Sequence, residues 1–389
     1  MGSLRIGDMN NQLAFITYGN YGKKHLAGPK NKIDAQIKAF SFWFDKVYYF
    51  SYTFGTVFCF LNNHEIDKRQ AITREDAFRE IYYWIKYYKI HNVYIRFELF
   101  FDLWTVSFLK QLRTISVIAL ELPDYPYDTL IRNPRAVLED EIFRKNISDC
   151  VDIIVTQAEY SKIFGIKTIR IVNGVHIDDI PEWRSRKKEK TIHLTGMACL
   201  NKWHGYERVI EGLKNYRSEN KEYDIKFYIV GEGAESEKYK RLIETYNLMD
   251  DVFLVGFKKG TELEELYSIT DIGVGTLAYY KINITVGSPI KTLEYCARGI
   301  PFIYGYTDRA FNGNEIYTYN VENNEDPIDM NGVIQLYERT VTDEDIHIKM
   351  RKYVEDNYTW KDILKPVYDF YCKKSNTKSD VVQRKDCES

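Results

Sequence analysis

The sequence predicts an α/β protein made of two doubly wound domains, and three observations carry that prediction. Short apolar runs that read as strands alternate with stretches of helical period, once through the first half and again through the second. A charged break, DDIPEWRSRKKEK from Asp178 to Lys190, holds Pro and Trp but no apolar period, and it separates the two series as a linker. The chain has 389 residues, enough for two cores. The domains expected are residues 12–177 and 190–358. A last helix covers 360–372, and the polar tail 373–389 has the composition of a disordered segment.

In the first half, residues 13–17 (LAFIT) read as a buried strand running into Tyr18-Gly-Asn-Tyr-Gly22. A flexible loop at the carboxyl end of a strand is where open α/β sheets bind ligands. A helix follows near 31–42, then strands at 47–51 and 56–60. Thr73-Arg-Glu-Asp76 resembles a capping box before a helix over 77–89. The strand 92–95 leaves Arg96 just beyond its end, and the aromatic stretch RFELFFDLW to Trp104 reads as helix packing or as a surface for a lipid-linked or aromatic partner. The strand 116–120 leads into a proline-set loop from Glu121 to Asp128. A helix over 135–149 and strands at 152–156 and 168–172 complete the set, and Asn173-Gly174 is a turn signal.

The second series has strands at 191–195, 226–230, 252–255, 272–275 and 302–304. Its helices fall near 205–216, 235–246, 261–267 and 289–298, with three more at 330–340, 343–356 and 360–371. Thr261-Glu-Leu-Glu264 reads as a second capping box. The stretch Ser288-Pro-Ile-Lys-Thr-Leu-Glu-Tyr-Cys-Ala-Arg-Gly-Ile-Pro301 organises this half. Pro289 suits a first helical turn, Gly299 a helix end, and Pro301 a stop. Ser288, Lys291 and Glu294 are spaced three apart and share a face near the helix amino terminus, where free N–H groups and the helix dipole favour an anion such as phosphate.

Composition excludes several classes. With 54 basic and 56 acidic residues there is no footprint for nucleic acid. The six cysteines form no CxxC pair or zinc spacing, and the seven histidines form no metal spacing, so no metal site is expected. Scattered cysteines fit reduced thiols in the cytoplasm. No signal peptide opens the chain and no run of about 18 apolar residues spans a bilayer, which leaves peripheral contact with the inner face of a membrane open. There is no GxxxxGK[ST], HExxH or GxSxG.

The carboxyl ends of the second set of strands carry a coherent group: Gly196 followed by Lys202-Trp-His-Gly-Tyr-Glu-Arg208, then Val230-Gly-Glu-Gly233, Gly256-Phe-Lys-Lys-Gly260, and Gly275 with the loop to Gly287. Glycine lets backbone approach a ligand, and Lys202, Arg208 and Lys291 bring positive charge. The sum reads as a nucleotide-diphosphate pocket.

These features resemble the GT-B glycosyltransferases, and more narrowly the retaining family-four group with its "glycosyl transferases group 1" domain. The resemblance rests on Asn173-Gly-Val175, Val230-Gly-Glu-Gly233, Val255-Gly256, and Glu294 followed by Gly299-Ile-Pro301. It covers roughly 12–372 and is strongest in the second half. It implies two Rossmann-like domains facing across a cleft, with the helix from Trp360 crossing back onto the first. By resemblance, Lys202 holds the donor diphosphate, Glu294 binds the ribose as the second Glu of E-x7-E, Phe257 lies beside the base, and Gly19 and Gly22 form the glycine loop near the phosphates and the sugar. Gly231, Ser288 and Lys291 complete the donor side.

Three positions depart from the family. Val286 stands where the first Glu of E-x7-E falls, Met197 where a diphosphate Arg falls, and Glu121, near Asp124, where a His is often found. Arg208 or Lys291 is expected to replace the missing charge, and Arg96, Glu121 and Asp124 to line the acceptor side. The function implied is metal-independent, retaining transfer of a sugar from a nucleotide-diphosphate sugar, a UDP-sugar favoured, to a glycan or lipid-linked glycan in cell-surface polysaccharide synthesis, with no cofactor beyond the donor. The alternatives are an inactive nucleotide-binding partner protein and a sugar-nucleotide 2-epimerase.

Overall fold

The structure is a computed structural model. It describes the chain apart from residues 1–10, 20–26, 99, 129–130, 132, 183–187, 219–221 and 387–389, with backbone alone for 27–29 and 376–386. The chain forms two compact units, one ending at Val172 and resuming at Trp360, the other Asn173–Thr359. The segment 173–177 and the described parts of the linker group with the second unit.

The first unit runs β1 (Gln12–Thr17), α1 (Ala27–Phe40), β2 (Lys46–Thr53), β3 (Thr56–Leu61), β4 (His64–Gln70), α2 (Arg74–Tyr87), β5 (Asn92–Arg96), α3 (Leu103–Arg113), β6 (Val117–Leu122), α4 (Pro134–Phe143), β7 (Ile153–Thr156), β8 (Lys162–Ile163) and β9 (Ile166–Arg170). Its sheet has the order β4-β3-β2-β1-β5-β6-β7-β9-β8. From β2 to β9 the pairs are parallel, with Phe15 opposite both Tyr49 and Tyr94. β5 and β6 are buried at every position, which is why they read as largely apolar runs. β3, the strand expected at 56–60, pairs antiparallel with β2 and carries the edge strand β4, which the sequence does not announce. β4 is HEIDKRQ, a charged edge strand whose side chains face water and discourage further pairing.

Two apolar faces cover this sheet. Trp84, Phe78 and Phe108 lie on one side, the last two stacked at 4.4 Å; Phe15, Phe40, Tyr94, Trp360 and Tyr371 lie on the other. The last helix, α11 (Trp360–Asp386), therefore belongs to the first unit. Tyr371 Oη donates to the Val93 carbonyl at 2.8 Å, and Tyr368 stacks on Trp43 at 5.2 Å. The helix continues to Asp386 through residues expected to be disordered. The Thr73 capping box forms as expected, each partner bonding the other's backbone N–H. Residues 97, 98 and 100–102 are loop rather than helix, and α3 starts after an Asp102 cap.

The second unit runs β10 (Thr191–Met197), α5 (Glu207–Arg217), β11 (Asp224–Val230), α6 (Ser236–Thr245), β12 (Val252–Gly256), α7 (Thr261–Ile269), β13 (Ile272–Val274), β14 (Val286–Gly287), α8 (Ile290–Arg298), β15 (Phe302–Tyr304), β16 (Thr307–Asp308), β17 (Thr318–Asn320), α9 (Met330–Val341) and α10 (Ile346–Asn357). Its main sheet is parallel, with the order β12-β11-β10-β13-β15-β17. That is the strand order of a Rossmann fold, with its reversal between β10 and β13. β17 and the small parallel pair β14–β16 were not expected. The second capping box does not form: α7 has Gly260 as its cap and Thr261 already inside the helix.

Candidate active site

The reversal point fixes where a ligand fits in the second unit, because helices leave β10 and β13 toward opposite faces and open a crevice outside their carboxyl ends. Two segments meet there. After β10 comes a tight turn, Lys202–His204, closed by Asn201 and His204: the Asn201 side chain accepts from the His204 backbone, and the Asn201 N–H donates to His204 Nδ1 at 3.1 Å. After β13 comes the loop toward α8. Leu277 and Ala278 donate their N–H groups to the His204 and Trp203 carbonyls at 3.0 Å, so the two segments are zipped together.

α8 begins beside them. Pro289 is its N-cap and supplies no side-chain cap, which leaves the first-turn N–H groups for other acceptors. Asn173 Nδ2 donates to the Ser288 carbonyl and fixes the approach to the helix. Gly299 ends α8 with φ 75°, the left-handed turn that glycine allows. Ser288 Oγ and Lys291 Nζ are both out of contact with solvent and have no hydrogen-bond partner among the described residues. Lys291 Nζ lies 5.9 Å from the centre of the Tyr206 ring. Burial pushes its pKa down to about 7, against the pull of the Glu294 carboxylate. Burial likewise raises Glu294, opposed by the charges of Arg298 and Lys291. His204 is held neutral by burial and then by Lys291, its pKa pushed down to about 2. The start of α8 thus carries an amine and a hydroxyl that have no partner among the described residues, groups suited to phosphate oxygens.

Other predicted residues are placed differently. Lys202 is exposed on the turn beside this cluster. Phe257, 65% exposed after Gly256, presents a ring to solvent at the end of β12. Gly231 (φ 111°) meets its own chain rather than open space: a Cβ there would sit 1.9 Å from the Ala198 carbonyl oxygen. Arg208 corrects the expectation of a cation at the crevice. It is buried in α5, and its guanidinium donates to the Asp326 carbonyl at 2.6 Å, the Asn324 side chain at 3.0 Å and the Leu277 carbonyl, so it fastens loops. Met197 receives a contact from Tyr267 Oη at 3.7 Å to its sulfur.

Glu121 is also corrected. It lies inside β6 rather than in a loop, 1% exposed, with Arg96 Nη1 at 2.8 Å and Lys32 Nζ at 3.3 Å. Burial alone would raise its pKa, but the charges of Arg96 and Lys32 prevail and hold it at about 2. Arg96 is inside β5. This is a buried ion cluster, not a base waiting for a proton. In the first unit Gly19 lies against the Glu98 carboxylate, and Gly22 lies outside the described residues.

The sequence reading missed Asp308. Parallel pairing sets Val286 opposite Thr307 and Gly287 opposite Asp308. The Asp308 carboxylate accepts from Tyr306 Oη at 2.7 Å, the Ala310 N–H at 2.8 Å and Thr292 Oγ1 of α8 at 3.1 Å. It lines a pocket of about 460 Å³ with Arg309, Asn312, Glu315, Asn320 and Tyr353. In the sequence Asn173 stands in a turn and in the family resemblance; its bond to Ser288 depends on a contact across 115 residues.

Residues 179–311 match the family described as Glycosyl transferases group 1. Over the whole chain the fold is similar to that of a glycosyltransferase from Rickettsia africae ESF-5, with 14% identity, TM-score 0.63, and coverage of 94% of this chain and 98% of that one. The chain carries a group 1 glycosyltransferase domain in a GT-B fold. Sucrose-phosphate synthase from Thermosynechococcus elongatus is also similar, with 13% identity, TM-score 0.61, and coverage of 94% and 99%. So is Anabaena HepE, solved in complex with UDP, with 12% identity, TM-score 0.58, and coverage of 93% and 99%. At these identities the likeness establishes the fold. No curated protein matches the sequence. The group 1 domain contains Lys202, Arg208, Gly231, Phe257, Ser288, Lys291 and Glu294, whereas Gly19, Gly22 and Glu121 lie outside the matched segment. Among the described residues no cluster of His, Cys, Asp or Glu suits a metal ion, and no helix is long and apolar enough to cross a membrane.

Proposed function

We propose that the protein is a retaining, metal-independent glycosyltransferase of the hexosyl type that takes its sugar from a nucleotide-diphosphate donor, a UDP-sugar. One observation carries the reading: Lys291 Nζ and Ser288 Oγ are buried without partners among the described residues at the uncapped start of α8, beside the reversal point of a group 1 domain. The helix terminus, Lys291 and Lys202 neutralise the diphosphate as the anomeric bond breaks, which is electrostatic stabilisation of a developing charge. Glu294 accepts from the ribose hydroxyls, and Phe257 lies along the base. The leaving phosphate takes the proton of the acceptor hydroxyl, so no protein nucleophile is needed. The acceptor is a glycan or lipid-linked glycan of cell-surface polysaccharide, met in the cytoplasm. Glu121 serves by holding Arg96 and Lys32 in place.

The test is turnover of a panel of nucleotide sugars with glycan acceptors, measured as nucleoside diphosphate release, with the anomeric configuration of the product read by NMR. Lys202→Ala and Glu294→Ala are expected to lower kcat/KM about 10²-fold or more. Unchanged turnover in both variants would show that the donor is held elsewhere. A second reading, a protein that binds nucleotide without turnover, draws support from Met197 and Val286 at positions where the family carries charge and from the inward Arg208. Saturable binding with no release in the presence of acceptor would favour it.

A further inference from the structure

We propose that the start of α8 is a proton-linked anion site, in which Lys291 is largely neutral at mildly alkaline pH and takes up a proton when a nucleoside diphosphate binds. The inference rests on the donor-site reading above and adds to it a coupling between donor affinity and pH.

The geometry isolates the amine. Its nitrogen has no contact with solvent and no hydrogen-bond partner among the described residues, and Ser288 Oγ beside the helix start is in the same position. An ammonium in that setting loses its hydration without replacement, so shedding the proton costs less than keeping the charge.

The surrounding groups do not restore the balance. From the turn after β10, His204 faces the amine as a neutral imidazole, and Tyr206 offers only a ring face at 5.9 Å. On its own helix, Glu294 attracts the charge but makes no ion pair with it; Glu294 is itself pushed toward its neutral form by burial, and Arg298 competes for it. The positive end of the α8 dipole lies on the same side and also opposes an ammonium. Burial accordingly sets the amine's pKa at about 7.

A bound diphosphate reverses each of these effects. It brings two or more negative charges to within a few ångströms, accepts hydrogen bonds from the amine and from Ser288, and offsets the helix dipole. Even at the effective dielectric constant of a protein surface, such a charge raises the proton affinity of a neighbouring amine on the order of a hundredfold. The sign follows: the complex binds more protons than its separate parts, so affinity rises as pH falls. Above pH 7 the terminal phosphate of the free nucleotide, with a second ionisation near about 6, is already dianionic and contributes little to the change.

Calorimetric titration with UDP, GDP and ADP at pH 8, in HEPES and in Tris buffers, reads the effect directly, because the dependence of the binding heat on buffer ionisation enthalpy counts protons. The wild-type protein is expected to take up about 0.8 proton per nucleotide bound at pH 8, and Kd to rise about sixfold from pH 7.5 to 8.5. Lys291→Arg, charged throughout, is expected to bind with uptake near zero and a flat Kd over that range. Wild-type binding without uptake would overturn the inference while leaving the donor site standing. Uptake that persists in Lys291→Arg would also overturn it by assigning the proton to another group. Absence of binding by all three nucleotides would overturn the donor-site reading and this inference with it. The wild-type measurement is decisive even if the variant fails to fold.

Discussion

Arg208 donates from its guanidinium to the carbonyl oxygen of Leu277, at the point where the loop after β13 departs toward α8. The same side chain holds the Asp326 carbonyl and Asn324. A residue that sequence pattern offers as a cation for phosphate is instead the fastening that keeps the crevice-forming loop closed to its own domain.

Removing that fastening should cost stability before it costs chemistry. Arg208→Ala leaves the carbonyls of Leu277 and Asp326 and the Asn324 amide oxygen short of a donor, a loss of about 2–4 kcal/mol. Thermal denaturation should show a lower melting transition, and Arg208→Lys should recover little, because one ammonium does not span three acceptors in the guanidinium's fixed fork. A wild-type melting curve combined with weakened nucleotide binding would instead return Arg208 to the donor.

Gly231 permits a sharper comparison. A Cβ at this position would lie 1.9 Å from the Ala198 carbonyl oxygen, and the backbone is left-handed at φ 111°. Gly165 has φ 80° but nothing within 4 Å of its would-be Cβ. Gly165→Ala should cost about 1 kcal/mol from backbone strain alone, whereas Gly231→Ala should cost at least about 3 kcal/mol and displace the 198–200 segment. Urea denaturation of the two variants side by side tests the difference; equal losses would mean that the close approach at Gly231 relaxes freely.

Features governed by neighbours in sequence were legible, and features governed by distant contacts were not. The α8 stretch could be read because Gly299 and Pro301 act within one or two residues of where they stand. β5 and β6 could be read because burial on both faces leaves mainly apolar side chains, with Asn92, Arg96 and Glu121 as the exceptions. β4 could not, because a charged edge strand carries no apolar alternation, and β14–β16 could not, because a pair of two-residue strands is specified only by its partner. The direction of a charged side chain is the least legible property. Arg208, Arg96 and Glu121 all stand near strand ends or helix starts, where charge suggests a ligand, yet each is committed to an internal partner tens of residues away. For Lys291 and Ser288 no partner stands opposite the side chain among the described residues, and this is visible only in three dimensions.

The Glu121 cluster predicts a strong asymmetry between its members. Glu121→Gln leaves Arg96 and Lys32 buried without their counter-charge and should cost about 3–5 kcal/mol at neutral pH. Adding Lys32→Met should restore part of the loss, because one of the two uncompensated cations is then gone. A double variant no more stable than Glu121→Gln would show that Lys32, whose own pKa burial pushes down, is already neutral. Because the folded-state pKa of Glu121 is depressed to about 2, its contribution is fully present above the unfolded value and should fade as pH drops through that range.

Asp308 predicts the opposite pH dependence in the second unit. Burial raises its carboxyl to about 6, although hydrogen bonds from Tyr306, the Ala310 backbone and Thr292 favour the ionised form. The folded state therefore holds this proton more tightly than the unfolded chain, whose carboxyl has the ordinary value near about 3.9. Below about pH 3 both states are protonated and the group costs nothing. As pH rises from about 3 to about 7 the folded state must ionise a buried acid, and stability should fall by about 3 kcal/mol in total. Asp308→Asn cannot ionise and should lack this component, so the difference between wild-type and variant unfolding free energies, followed by denaturant titration across that window, should slope with pH and level off above it. A difference that stays flat from pH 4 to 6.5 would mean that the pocket around Asp308 admits enough water to leave its carboxyl unperturbed.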